Sequence, residues 1–276
     1  MGKMKQLRDT LDRFKTKICA LQETIFPAED HFNPGNYRMY KGKPLVHRKD
    51  LRVCGTGFAV HRTISDAVMD FTLPNKRLST LTIKSAYRAY TVVNAHAQTN
   101  DHNRKDLDAT EDFWTVMEET IKNTPKHRPK LILGDFKANL GKEQKYRHIA
   151  QHRDTNLNGN HLIEFCQTHD LKVMSTNFKE PTQKLTTGKL QNGKRELQID
   201  HVIIQREPHR EIPNIDTRKC FFHWAHHLLK IKTGLIPKET KIFRPDPEYL
   251  NTQPRENTGG NCDRNNAKLG TALREA

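Results

Sequence analysis

The sequence has few cysteines and no long apolar run. Its five cysteines are widely spaced and none forms a Cys-x-x-Cys pair, which argues against a structural zinc site or a redox dithiol. No segment approaches the roughly 18 apolar residues of a membrane span, and the N-terminus lacks the apolar stretch of a secretory signal. No period of roughly 20 to 50 residues recurs, which excludes a repeat architecture. These absences predict an intracellular protein with reduced thiols and no membrane partner.

The composition predicts a folded and strongly basic protein. The chain has 276 residues, of which 34% are hydrophobic, enough for a sizeable core in one large domain or two small ones. Its 47 Lys and Arg outnumber its 32 Asp and Glu, so the formal net charge is +15. Such a charge favours polyanionic partners with nucleic acid first among them, although a basic, solvated surface gives the same count. No obligate protein partner is inferred.

Helical and strand patterns alternate along most of the chain. A helical pattern over residues 7–14 leads into a short strand at 18–21, and β-rich runs between 37 and 97 predict a meander of antiparallel strands. Further helices and strands follow, so residues 1–235 are expected to form one α/β domain. Beyond it, Pro, Gly and Asn replace apolar residues, which predicts a disordered polar tail over 236–276.

Three carboxylates stand at or beside predicted strands. Glu23 and Asp135 each follow a short apolar run, and Asp200 lies within the strand pattern 197–204. Taken singly, each is more often a cap, a turn residue or a surface residue. If they gather at one rim of a sandwich, however, they supply hard oxygen ligands, which favour Mg²⁺ or Mn²⁺ over zinc.

Four separated motifs together resemble the endonuclease/exonuclease/phosphatase superfamily. They are Leu21-Gln22-Glu23-Thr24, Gly134-Asp135-Phe136, Gln198-Ile199-Asp200-His201 and His226. The similarity extends through residues 55–60, 94–99 and 158–166. The amino acids at these motifs are similar to those of RTE-class non-LTR retrotransposon endonuclease domains. The resemblance implies a four-layer α/β sandwich, with two mixed β-sheets flanked by helices, and divalent-metal-dependent hydrolysis of phosphodiester bonds in DNA. A DNA substrate implies a nuclear location.

The resemblance also implies a role for each matching residue. Glu23 matches a metal-ligating glutamate, and Asp135 matches the aspartate that contacts the metal and positions or deprotonates the attacking water. Asp200 and His226 match a carboxylate–imidazole pair, in which the imidazole stabilises the negative charge that develops on the phosphate. His96 stands where many members have tyrosine, so it is expected either to contact phosphate or to be a buried histidine with satisfied hydrogen bonds.

Several departures from the family pattern predict weak or lost activity. The family's first strand, which carries a metal-supporting asparagine, is expected to be absent, leaving its neighbour's edge unpaired. The family motif Gly-Asp-x-Asn has Lys137 in place of its asparagine, and this ammonium is expected to enter the space between Asp135 and Glu23. The family's Ser-Asp-His is represented by Trp224-Ala225-His226, and Ala225 can ligate nothing. The alternative is a catalytically dead nucleic-acid-binding remnant; a lipid or small-phosphoester phosphatase fits the basic charge less well.

Two further motifs are interpreted as structural. His223 and His227 lie four residues apart, as zinc ligands on a helix would, but the segment leads into a predicted strand, where that spacing is about 13 Å. Gly55-Thr56-Gly57 precedes a β-rich run rather than a helix, so it predicts a bend or bulge and not a phosphate-binding loop.

Overall fold

The computed structural model describes a defined part of the chain. This part consists of residues 3–24, 35–41, 55–85, 88–99, 104–142, 152, 154–176, 186–189, 196–205, 214–218 and 228–232. All of these residues belong to the first of the chain's two units, residues 1–240. The predicted domain boundary at residue 235 and the predicted tail 236–276 lie outside the described residues and stay predictions.

Three helices and thirteen strands are defined within the described residues. The helices are α1 (Lys3–Arg13), α2 (Arg104–Asn123) and α3 (Leu157–Thr168). The strands are β1 (Ile18–Leu21), β2 (Tyr37–Lys41), β3 (Gly57–His61), β4 (Val68–Asn75), β5 (Leu78–Lys84), β6 (Ala89–His96), β7 (Lys130–Asp135), β8 (Leu171–Val173), β9 (Gly188–Lys189), β10 (Glu196–Leu197), β11 (Asp200–Gln205), β12 (Asn214–Arg218) and β13 (Leu228–Lys232). Within this part of the chain, no helix combines the length and the apolar character that a membrane crossing requires.

The strands form two main sheets. The smaller sheet has the antiparallel order β1-β3-β2, and the larger one has the order β4-β5-β6-β7-β11-β8. The larger sheet is mixed, because β6 and β7 run parallel while its other pairs are antiparallel. β9 with β10, and β12 with β13, make two short antiparallel ladders.

The predicted meander over residues 37–97 is divided between the two sheets. β2 and β3 belong to the smaller sheet, and only β4, β5 and β6 form a meander in the larger one. A 3₁₀ segment, Arg62–Ala67, carries the chain from one sheet to the other, and its Ile64 is fully buried. Apolar alternation shows which face of a strand is buried but not which strand it pairs with, so the sequence pattern could not reveal this division.

Apolar side chains separate the structure into four layers. On the outer face of the smaller sheet, Leu7 and Leu11 of α1 pack with Cys19, Tyr37 and Ala59. Between the two sheets lies a cluster formed by the alternate side chains Phe58, Val60, Leu81, Ile83 and Val92. On the outer face of the larger sheet, α2 and α3 bury a third cluster, which includes Val93, Met117, Ile132, Leu162 and Phe165. The order helix, sheet, sheet, helix confirms the predicted four-layer sandwich.

The first strand of the structure, β1, is paired along one edge. Residues 18–21 run antiparallel to β3, with Ile18 opposite Val60 and Leu21 opposite Gly57. No other described strand pairs with the second edge of β1. An unpaired edge of this kind is what the expected absence of a neighbouring strand requires, and that absence itself stays a prediction.

Candidate active site

One end of the larger sheet brings three of the predicted site residues side by side. The parallel register of β6 and β7 places His96 opposite Asp135, and the antiparallel register of β7 and β11 places Asp135 opposite Asp200. Residues opposite each other on neighbouring strands project from the same face of a sheet. Val92 and Leu133, an even number of positions upstream, face the smaller sheet. The three polar side chains therefore lie on the inner face, at the rim between the sheets.

Glu23 reaches the same rim from the smaller sheet. It follows the end of β1 with a φ of 53°, a left-handed conformation that turns the chain out of the strand. Its Oε1 lies 3.8 Å from Nε2 of His96, whose side chain is only 3% exposed. One ligand atom from each of Glu23, His96 and Asp135 lies within 4.8 Å of the other two. Polar residues that are far apart in sequence, and that lie at the ends of strands in two different sheets, thus form one cluster.

The buried amide of Asn94 fixes the distance between the two sheets at this rim. Its Nδ2 donates to the carbonyl oxygens of Leu21 at 2.9 Å and Gly57 at 2.8 Å, and its Oδ1 accepts from Nε2 of Gln22 at 2.6 Å. Asn94 is completely buried, and its bond to Gly57 is made away from water, while its partners Leu21 and Gln22 are partly buried. It therefore links β6, which carries His96, to the end of β1, which carries Glu23.

A glycine is required immediately before Asp135. Gly134 has a φ of 154°, and a Cβ at this position would overlap the carbonyl oxygen and backbone of Ala95 on β6. Only glycine permits both this conformation and so close an approach of two strands. The Gly-Asp dipeptide of the sequence motif therefore has a structural cause: the glycine lets β7 approach β6 and brings Asp135 next to His96.

The Lys137 ammonium occupies one side of this acidic cluster. Its Nζ lies 2.5 Å from Oδ2 of Asp135, and its backbone N–H donates to Oδ1 of the same carboxylate at 3.1 Å. Both groups are shielded, with 18% of the Lys137 side chain and 3% of the Asp135 side chain exposed. The expected intrusion of an ammonium is thus present at Asp135, while within the described part of the chain Lys137 forms no ion pair with Glu23.

The strand that carries Asp200 is held by a buried polar network. Thr187 Oγ1 accepts the backbone N–H groups of Ile199 at 3.0 Å and Asp200 at 3.1 Å. His201, which is also fully buried, donates from Nε2 to the Ala138 carbonyl at 2.9 Å, and its Nδ1 lies 2.8 Å from Ser175 Oγ. Because both ring nitrogens of His201 are used in this way, the residue supports the loop after Asp135 rather than facing a substrate.

The sequence pattern does not reveal the positioning roles of Asn94, Thr187 and His201. Asn94 and His201 each interrupt an otherwise apolar strand, and a buried polar residue at such a place signals a specific hydrogen-bonding duty. Thr187 carries no comparable signal, because an isolated threonine outside a strong pattern is common. The predicted partner of Asp200, His226, lies outside the described residues, as do Ala225, His223 and His227. The roles assigned to these residues stay predictions.

The layers and the rim define the class of fold: it is the four-layer sandwich found in solved structures of endonucleases, exonucleases and phosphatases. The endonuclease domain of TRAS1, a telomere-specific non-LTR retrotransposon, superposes with a TM-score of 0.61 at 14% identity, over 85% of this chain and 94% of that one. The 3′ phosphatase NExo from Neisseria, bound to product DNA hairpin, gives 0.64 at 13% identity, over 83% and 93%. The AP endonuclease LMAP from Leishmania major gives 0.63 at 14% identity, over 82% and 80%. At these identities the likeness concerns the fold.

Curated relatives by sequence carry the name craniofacial development protein 2. The protein of Tragulus javanicus is 24% identical over 259 residues, which are 91% of this chain and 44% of that protein. The protein of Bos taurus is 23% identical over 251 residues, which are 88% of this chain and 41% of that protein. The chain thus spans less than half the length of these relatives. No family model matches the sequence. The resemblance to endonuclease/exonuclease/phosphatase proteins that was drawn from the four motifs is confirmed at the level of the fold.

Proposed function

We propose that this chain is a divalent-metal-dependent phosphodiesterase that acts on DNA and descends from a retrotransposon endonuclease. The observation that carries the proposal is the convergence of Glu23, His96 and Asp135 at one rim, with Asp200 beside Asp135 in the strand register. The proteins that share the fold, as their names state, include a retrotransposon endonuclease, an AP endonuclease and a phosphatase bound to DNA. The net charge of +15 supports a polyanionic substrate.

The donor set fits a divalent cation, and the remaining groups fit the hydrolysis of a phosphodiester. Glu23, Asp135 and His96 would hold the ion, which supplies positive charge for the phosphate oxygens when bound. Asp135 is the group placed to orient a water molecule and take its proton, because Lys137 N–H fixes the direction of its carboxylate. Asp200, next to Asp135, would orient the imidazole of His226 and so stabilise charge on the phosphate.

We propose further that the activity is attenuated by Lys137. The ammonium neutralises one carboxylate and stands on an oxygen that an ion would use. A divalent ion carries twice the charge of an ammonium, so it can displace Lys137 at sufficient concentration. The expected result is therefore a raised metal requirement and a low rate, rather than an inert site. Removal of a single preorganised group typically costs about 10²- to 10³-fold in rate.

A plasmid-nicking assay tests the proposal. Supercoiled plasmid is incubated with the purified chain and Mg²⁺ or Mn²⁺, and relaxed circles are counted against Asp135→Ala and Lys137→Asn. We expect slow nicking by the wild type, none above background by Asp135→Ala, and faster nicking by Lys137→Asn. If the wild type and Asp135→Ala nick equally in both metals, and Lys137→Asn does not exceed them, hydrolysis by this site is refuted.

The second candidate is a nucleic-acid-binding protein that does not cleave. The Lys137–Asp135 pair is the specific observation that favours it, since an ammonium in place of the ion leaves a site suited to holding rather than cutting a phosphate chain. It predicts that binding of labelled DNA, measured by anisotropy, weakens steeply with salt and is retained in Asp135→Ala, where the freed Lys137 ammonium can only add to it. Retained binding without nicking would select this candidate.

A further inference from the structure

The candidate metal centre contains a nitrogen donor among its oxygen donors. His96 is 97% buried, and the register of β6 and β7 places it beside Asp135, so its imidazole is shielded from solvent within the cluster. Its Nε2 is the ring atom nearer the Glu23 carboxylate. The site therefore offers one imidazole and two carboxylates, a set that differs chemically from the all-oxygen surroundings that Mg²⁺ prefers.

The spacing of these atoms suits two ligands of one ion better than a direct contact. The 3.8 Å between His96 Nε2 and Glu23 Oε1 exceeds hydrogen-bonding distance. Two ligands that each lie about 2.1 Å from a common ion are separated by roughly 3 to 4.2 Å. The 3.8 Å separation falls in that interval. The three ligand atoms lie within 4.8 Å of one another, so the most widely separated pair would have to approach by about half an ångström to share one ion. The exposed Glu23 side chain is the one free to make that adjustment.

Lys137 affects the two kinds of ion unequally. Affinity for a hard cation depends on the number of charged oxygens around it, and the ammonium neutralises one of the two carboxylates of the cluster. An ion that also bonds to imidazole draws part of its affinity from the nitrogen, which carries no formal negative charge. The ion pair therefore weakens binding of Mg²⁺ more than binding of a first-row transition ion.

From these three features we infer that His96 is a metal ligand and that the cluster Glu23, His96 and Asp135 selects a divalent first-row transition ion such as Mn²⁺ over Mg²⁺. The inference rests on the proposed function, since it concerns the same site, and names the ion that this site uses. His96 is then neither a phosphate contact nor merely a buried histidine with satisfied hydrogen bonds, which are the two interpretations that the sequence alone left open.

Pulsed electron paramagnetic resonance of the full chain with one equivalent of Mn²⁺, and no DNA, tests the assignment directly. We expect modulation from a nitrogen nucleus coupled to the ion, with the ¹⁵N pattern replacing the ¹⁴N pattern when only histidine is labelled. Titration should show Mn²⁺ bound at least about tenfold more tightly than Mg²⁺, because loss even of a group that only hydrogen-bonds a metal ligand typically costs about 10- to 100-fold in affinity.

Two variants separate His96 from the other fourteen histidines. His96→Gln keeps a polar side chain with an oxygen donor, and should lose the nitrogen coupling and about tenfold or more of the Mn²⁺ affinity while changing Mg²⁺ affinity little. His127→Gln is the matched control, because His127 is exposed and precedes the start of β7, at the end of the strand remote from Asp135. It should behave as the wild type.

The outcomes distinguish this inference from the proposed function. Bound Mn²⁺ without histidine coupling in the wild type overturns the assignment of His96, even if the plasmid is nicked and whether or not His96→Gln folds. Equal affinity of the wild type for Mg²⁺ and Mn²⁺ overturns the selectivity. Histidine coupling that vanishes in His96→Gln, together with no nicking in either metal, supports the metal site and refutes the hydrolytic function alone.

Discussion

Replacement of Asn94 by alanine tests whether one buried amide positions the candidate site. The substitution removes three hydrogen bonds, to the Leu21 and Gly57 carbonyls and from Gln22. Each bond is worth about 1 kcal/mol net, and the groups left behind are buried at Gly57 and partly buried at Leu21 and Gln22, so the free energy of unfolding should fall by about 3 kcal/mol. For a domain of this size about 1 kcal/mol corresponds to 2 to 4 °C, which predicts a melting temperature lower by roughly 6 to 12 °C.

The informative measurement compares Asn94→Ala with a variant of similar stability. Val93→Ala removes a fully buried side chain from the opposite face of the same strand, where it packs in the cluster under α2 and α3. Its expected cost is about 2 to 3 kcal/mol, from lost transfer energy and a residual cavity. Scanning calorimetry should show similar losses for both variants, whereas Mn²⁺ titration should show weaker binding only for Asn94→Ala.

Two results would refute this reasoning. An unchanged melting temperature for Asn94→Ala would mean that the three hydrogen bonds contribute nothing to the folded state. A lowered melting temperature with wild-type Mn²⁺ affinity, as in Val93→Ala, would mean that Asn94 stabilises the sandwich without positioning Glu23 relative to His96. In that case the alignment of the two sheets would have to come from the apolar cluster between them.

Three further changes have defined outcomes. Lys137→Asn should tighten metal binding and raise the nicking rate by about tenfold or more, because it removes the ammonium that pairs with the Asp135 carboxylate and asparagine tolerates the left-handed backbone; unchanged metal affinity by titration would contradict this. Gly134→Ala should prevent folding or lower the melting temperature severely, since its Cβ would overlap Ala95; a soluble variant that melts with the wild type would be inconsistent with the close approach of β6 and β7. Burial lowers the pKa of His169, so the unfolded chain binds a proton that the folded chain resists, and the free energy of unfolding should fall as the pH drops from about 6.5 towards that lowered pKa. His169→Gln should flatten the urea-denaturation profile over this pH range, and a slope equal to that of the wild type would exclude His169 as its source.

Local patterns predicted much of the fold because strand faces and helix faces follow from short-range periodicity. The helix before β1 and the apolar run leading to Asp135 were both expected from spacing. The start of α3 at Leu157 is set by the side chain of Asn156, which caps the helix by accepting the N–H of Gly159. The assignment of β2 and β3 to a separate sheet was not expected. Pairing is decided by contacts between segments far apart in the chain, which periodicity does not encode.

The candidate site was predicted by resemblance and explained by register. Nothing in the spacing of residues 96, 135 and 200 shows that they are neighbours, because the segments between them differ in length and content. The structure supplies the reason: β6 and β7 end and β11 begins at one rim, where the paired residues His96, Asp135 and Asp200 point to the same, inner face. Asn94 lies on the same face of β6 as His96, two residues away. From there it bonds to the end of β1 and can position Glu23 relative to His96 without contacting a substrate.

The Lys137 ion pair follows from the backbone and not from a chance contact of a long side chain. Lys137 and Glu23 are two of four non-glycine residues with positive φ among those described, and such conformations cost roughly 1 to 2 kcal/mol each. The left-handed turn at Lys137 brings its own N–H onto one oxygen of Asp135 while its ammonium meets the other. Asparagine adopts the same turn readily and keeps the N–H bond, but carries no charge. One side-chain charge therefore separates the present site from a stronger acidic one on an unchanged scaffold, and Lys137→Asn reverses that difference with little rearrangement of the backbone.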